Sequence, residues 1–124
     1  MATLKRFEDL DCWQSAQDVL KATYRILSKE PVKKEFSFQD QMKRAALSVS
    51  NNIAEGFERS SIKEKIRFLG FANGSIAEVK NMLYAAKNLG FIDQSEFEST
   101  FALVSKCQAQ LKAFMRYLHS IKTN

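Results

Sequence analysis

The chain has 124 residues, the length of one domain, and its 45% hydrophobic and 27% charged residues with one proline and four glycines exclude a disordered or low-complexity chain. Nineteen Lys and Arg against fourteen Asp and Glu leave a charge of +5, which favours polyanions without demanding them. No apolar run is long enough for a membrane span, and Cys12 and Cys107, far apart and with no secretory leader ahead of them, do not make a disulfide framework, so a reduced, cytoplasmic setting is expected.

The first predicted element runs from Asp11 to about Ser28. Trp13, Ala16, Leu20, Thr23 and Leu27 recur at helical spacing, widened by Val19 and Ile26. It stops before Pro31, and the charged, aperiodic KEPVKKEFS reads as a connection. Ser37 is placed to cap a second helix over 38–57, whose inward line is Phe38, Met42, Ala45, Val49, Asn52 or Ile53, and Gly56. Its many small residues predict close approach by a neighbouring helix. Periodicity breaks at FERSS, where Ser61 followed by Glu64 is a capping box that opens a third helix over 61–88. Gly90 is placed as its left-handed cap, with Phe91 and Ile92 packing back onto the end. Ser95 with Glu98 repeats the box and opens a fourth helix over 95–121, striped by Phe97, Phe101, Val104, Cys107 or Gln108, Leu111, Phe114 or Met115, Leu118 and Ile121.

Four amphipathic helices with short links predict an all-α, antiparallel up-down-up-down four-helix bundle, one domain over residues 1–124. The third and fourth helices should project past the first, leaving one end exposed or covered by another subunit. On the third helix Ile62, Ile66, Leu69, Ile76 and Leu83 make one stripe, and Phe68, Phe71, Ala72, Val79, Met82 and Ala86 make another beside it. A helix apolar over so much of its circumference is usually buried on more than one side, which points to self-association, against a monomer core that is simply thick.

Side-chain catalysis finds no footing. The one histidine, His119, stands on a basic helix near the C-terminus, no Glu-x-x-His pair exists for a carboxylate-bridged metal, and two cysteines with one histidine fall short of a zinc set. No metal, no other cofactor and no catalytic residue is expected, and Glu55 with Glu78 as an acid–base pair is a very weak signal. A structural role has more content. Arg44, Ser48 and Glu55 share a flank of the second helix, and Phe71, Ser75 and Glu78 share one of the third. Half-buried charges need partners, so a seam is expected in which Arg44 serves both glutamates and Asn52 and Asn73 fix helix register.

Arg59, Lys63 and Arg67 recur every four residues from the turn into the third helix, flanked by Lys65. Lys112, Arg116, His119 and Lys122 form a second patch on the fourth, which has no acidic side chain after Glu98. Such stripes suit phosphates, and are equally what a solvated face or a dipole-complementing C-terminus looks like; no aromatic stacking platform accompanies them. Two functions stay open: RNA or DNA binding through Arg59, Lys63, Arg67, Lys112 and Arg116, and docking of a protein partner through the apolar flank of the third helix.

FEDLDCWQSA, QMKRAALSVSNNIAEGFERSS and FLGFANGSIAEVKNMLYAAKNLGFI together resemble the four-helix-bundle proteins encoded in intervening sequences of bacterial large-subunit ribosomal RNA genes, over about residues 7–118. NIAEG followed by GSIAEV is the specific part; the chain departs from the family pattern in lacking a breaker within SVSNN. The resemblance implies a cytoplasmic bacterial bundle assembled as a ring, a homopentamer, with nucleic acid as the suspected ligand and no implied reaction. A related bundle, the accessory protein of diversity-generating retroelements, is a basic pentamer that works with a reverse transcriptase. Carried over by motif, Arg44, Asn52, Glu55, Gly56, Ser75 and Glu78 are family-marking positions, read as structural or interfacial.

Overall fold

Two capping boxes and one left-handed glycine set most of the helix boundaries. The computed structural model describes residues 4–122, in which the helices are α1 (Asp11–Leu27), α2 (Phe36–Glu58), α3 (Ile62–Asn88) and α4 (Gln94–Lys122), with short 3-10 turns at Phe7–Asp9 and Val32–Lys34. Ser61 caps α3 as expected, its Oγ accepting from the Glu64 amide at 3.1 Å. Gly90 closes α3 at φ 75°, and the Phe91 amide reaches back to the Ala86 carbonyl at 2.8 Å while that of Gly90 donates to Lys87 at 3.1 Å. These are the paired bonds of a Schellman turn. It buries Ile92 and sets Phe91 edge-on to Phe38 at 5.2 Å.

Two caps differ from the sequence expectation. Helix α2 begins at Phe36, before Ser37, and Glu35 at its N-cap makes no side-chain capping bond. The link is held instead by Gln39, whose Nε2 donates to the carbonyls of Leu27 at 2.6 Å and Val32 at 3.1 Å. At α4 the box is Asp93 with Glu96, two residues ahead of Ser95 and Glu98: the Glu96 amide donates to Asp93 Oδ1 at 2.8 Å and the Asp93 amide to Glu96 Oε1 at 3.2 Å. Asp93→Ala should therefore lower stability by about 1 kcal/mol in chemical denaturation, and Ser95→Ala by less than about 0.5 kcal/mol. Equal effects would restore the later frame.

The helices pair antiparallel in ring order. From residue 48 to 56 along α2 the partner on α3 falls from Ser75 to Phe68. Along α4, Gln108 meets Asn73, Phe101 meets Tyr84 and Phe97 meets Lys87, so rising numbers on α3 meet falling ones on α4. Helix α1 runs against α4 in the same sense, from Cys12 beside Cys107 to Lys29 beside Glu96, and against α2 through Gln39 and Lys43. The result is an up-down-up-down four-helix bundle, and α2 runs unbroken through SVSNN.

Close approach is greatest where α2 meets α3. A Cβ on Gly56 would stand 3.1 Å from Phe68 Cβ and 3.2 Å from the Lys65 carbonyl, so the small residue is required by packing. Most of both stripes of α3 is buried inside one chain: Leu69, Ile76 and Leu83, and also Ala72, Val79, Met82 and Ala86, are covered, while Ile62, Ile66 and Phe68 are half-buried. Helix α3 has α2 on one side and α4 on the other, and these two neighbours cover most of its wide apolar arc. Phe71 is left over, 47% exposed. Nor is the end beyond α1 bare. The N-terminal segment folds across it, with Leu4 and Phe7 packed on the core and Phe7 tilted against Trp13 at 5.5 Å.

Candidate nucleic-acid interface

The turn Arg59–Ser61 returns the chain so tightly that cations of α2 and α3 meet. Arg59, extended at the C-cap of α2, sets its guanidinium 4.4 Å from the centre of the Phe68 ring and donates from Nη2 to Glu55 Oε1 at 2.6 Å. Arg67 pairs with Glu64 at 3.2 Å and lies 5.6 Å from Phe68 and 5.3 Å from Phe71. Phe68 and Phe71 meet edge-on at 5.5 Å. Guanidiniums and rings thus alternate along this surface, correcting the expectation that no aromatic platform accompanies the basic stripe. The signal was in the spacing: an arginine four residues before an exposed phenylalanine places the cation on the ring, as helical side chains lean toward the N-terminus.

Lys63 is exposed and forms no ion pair among the described residues. Lys65 has a different task, donating to the Phe57 carbonyl at 2.6 Å and so tying α3 to the end of α2. The ion pairs of Arg59 and Arg67 are solvent-exposed, and such pairs are worth at most about 1 kcal/mol, so both cations can be lent to an incoming anion.

On α4, Gln108 reaches α3 through Asn73, Gln110 reaches α1 through Ser15, and Lys112 and Arg116 follow on the exposed face between those flanks. Neither makes an ion pair among the described residues, and His119 is exposed beside them, while the side chain of Lys122 lies outside the described ones. The antiparallel order brings both basic patches to one end of the bundle, where α2 and α4 finish and α3 starts.

Several polar side chains join the helices within the chain. Ser75 Oγ donates across to Ser48 Oγ at 2.8 Å, and Asn52 Nδ2 braces the same hydroxyl at 3.0 Å and the Ser48 carbonyl at 2.9 Å. Asn73 accepts from Gln108 at 3.2 Å, and Gln108 accepts from Lys80 at 2.5 Å, joining α3 to α4. Arg44 departs from the expectation. It pairs with Asp40 one turn back at 2.9 Å, Glu55 pairs with Arg59, and Glu78 has no ion pair among the described residues. Both glutamates are exposed, so neither carries the desolvation cost that would call for Arg44.

Neither Glu55 nor Glu78 lines the depression of about 270 Å³ bounded by Leu4, Asp11, Gln110 and Phe114. Among the described residues no three His, Cys, Asp or Glu converge as metal ligands. Cys12 and Cys107 are free, buried thiols that meet where α1 crosses α4, with Cys107 Sγ donating to the Cys12 carbonyl at 3.6 Å. Burial, with a smaller contribution from Asp11, pushes each thiol up to about 12. No helix among the described residues is long and apolar enough to cross a membrane.

The family model described as 23S rRNA-intervening sequence protein matches residues 8–113. No curated protein matches the chain.

Proposed function

The chain belongs to the 23S rRNA-intervening sequence protein family, and from that premise we propose that it is a non-enzymatic cytoplasmic protein whose assembled basic surface contacts RNA or DNA, as an accessory to another nucleic-acid protein. What carries the reading is the grouping of Arg59, Lys63, Arg67, Lys112 and Arg116 at one end of the bundle, exposed and with Lys63, Lys112 and Arg116 unpaired among the described residues. Assembly, a homopentamer by the family resemblance, would multiply a small charge into a strong field. Binding should weaken with salt, log affinity falling by about 0.7 to 0.9 per log unit of salt for each phosphate neutralised. Charge reversal at Arg59, Lys63 and Arg67 together should lower that slope by roughly three while leaving the helical content unchanged. Fluorescence anisotropy with structured RNA and duplex DNA across a salt series reads both quantities, and an unchanged slope would move the contact elsewhere.

The exposure of Phe71 favours a second reading, a protein-docking module without nucleic-acid binding. Its test is Phe71→Glu alone, because Met82 is only 6% exposed and a charge there would unfold the bundle before it dissociated a partner. Light scattering reads the assembly state, and an unchanged mass with no lost partner would defeat this alternative.

A further inference from the structure

The cations around Phe71 are arranged about aromatic rings, which plain phosphate contact does not require. Phe68 lies between Arg59 and Arg67, with the guanidiniums 4.4 and 5.6 Å from its centre. Phe71 has Arg67 at 5.3 Å and Phe68 roughly perpendicular to it with ring centres 5.5 Å apart, and the residue stays 47% exposed. Beside it, Gly70 and Gly74 offer no side chain, and apart from their chain neighbours and the backbone of α3 itself no atom stands within 4 Å of where their Cβ atoms would be. Gly74, one turn toward the C-terminus, shares a face with Phe71, so the ring has a bare approach on the side away from Arg67.

We infer that Phe71 is a stacking platform for an unpaired nucleobase, and that the α2–α3 turn selects single-stranded RNA or DNA over duplex. This rests on the nucleic-acid reading above and deepens it. A nucleotide satisfies both halves of the surface at once: its base continues the sequence of planar groups from Phe68 through Arg67 to Phe71, and its phosphates meet Arg59, Lys63 and Arg67. An apolar protein surface closing on Phe71 would strip water from the Arg67 guanidinium beside it and add no partner to the one Glu64 already supplies. A duplex presents phosphates but no base face, since its bases already stack on one another, and freeing one costs free energy.

The test uses the intact chain with an unstructured strand of about a dozen nucleotides, as RNA and as DNA, each carrying a fluorescent adenine analogue, and with the same strands annealed to their complements. Phe71→Leu keeps an apolar side chain of similar reach and removes the π face. It should weaken single-strand binding about tenfold, equivalent to about 1.4 kcal/mol, and leave duplex binding unchanged. Phe71→Trp should hold or raise single-strand affinity, with the indole emission quenched by the bound base. Equal losses for strand and duplex in Phe71→Leu, or an unquenched indole, would overturn the platform. Unchanged single-strand affinity in Phe71→Leu would do the same while the electrostatic reading stands. If the wild-type chain binds neither strand nor duplex even at low salt, both readings fall together.

Discussion

Leu83→Ala is expected to lower the free energy of unfolding by about 3 kcal/mol, within a range of roughly 2 to 5 kcal/mol for such truncations. Leu83 is fully buried, in the half of α3 that α4 packs against through Tyr84, Lys80 and Lys87. Because α3 is flanked on both sides, a cavity beneath Leu83 cannot close by shifting the helix toward one neighbour without opening a gap at the other. The melting temperature should fall by on the order of 10 °C. Leu89→Ala is the matched control: with the same atoms removed at 62% exposure, the expected change is within about 0.5 kcal/mol. Denaturant melts of the two variants, read as midpoints at constant m-value, decide it. If Leu83→Ala costs no more than Leu89→Ala, Leu83 is not packed in the core between α3 and its neighbours.

The second large effect is a loss of stability in alkali. Cys12 and Cys107 hold their protons until about pH 12 in the folded chain, chiefly because burial disfavours the thiolate. In the unfolded chain a thiol releases its proton near its ordinary value of about 8.5 to 9. Between these limits the unfolded state binds fewer protons than the folded one, so stability falls as pH rises, and below about pH 8 the two thiols contribute no pH dependence. With two such groups the fall is steep, amounting to several kcal/mol between about pH 9 and 11. The double variant Cys12→Ala with Cys107→Ala should start less stable, from lost packing, and then lose less as the pH rises. The gap between wild type and variant must therefore narrow between about pH 9 and 11. A gap that stays constant would mean that the thiols do not titrate between the two states.

The basic surface and the aromatic ladder stand on the same few residues, and their predictions separate cleanly. On the proposed reading, reversing Arg59, Lys63 and Arg67 should change the salt dependence of binding for any polyanion. Removing the Phe71 ring should change only the proposed preference for unpaired bases, because stacking carries little of the ionic component. The pairs Arg59–Glu55 and Arg67–Glu64 hold the two guanidiniums over the rings before any ligand arrives, at 2.6 and 3.2 Å. They pre-order the side chains at the cost of part of their charge.

Much of the fold was legible residue by residue. Periodicity located all four helices, Ser61 and Glu64 marked one start, and Gly90 marked one end, because a cap is satisfied by the backbone amides of its own turn. The misplaced box at α4 shows the limit of that reasoning. Asp93 with Glu96 and Ser95 with Glu98 have the same spacing, and the choice was made by the Schellman turn that buries Ile92 and delivers the chain to Asp93. The candidate site was half legible. Its cations and their four-residue recurrence are legible in the letters, but the exposure of the rings among them is not, since apolar periodicity does not distinguish Phe71 from Val79 or Met82.

By itself, then, the sequence determined the all-α class, the helix count, the tight turn at Ser61 and the excess of cations toward two segments. Each of these follows from propensity, period or capping within a few residues. Only the tertiary structure decided which apolar residues are spare, which charges are paired and which patches are neighbours. Burial depends on the helices on either side, so Met82 is covered and Phe71 is not. Antiparallel packing carried the stripe at Arg59 and the patch at Lys112, more than fifty residues apart in the chain, to the same end of the bundle.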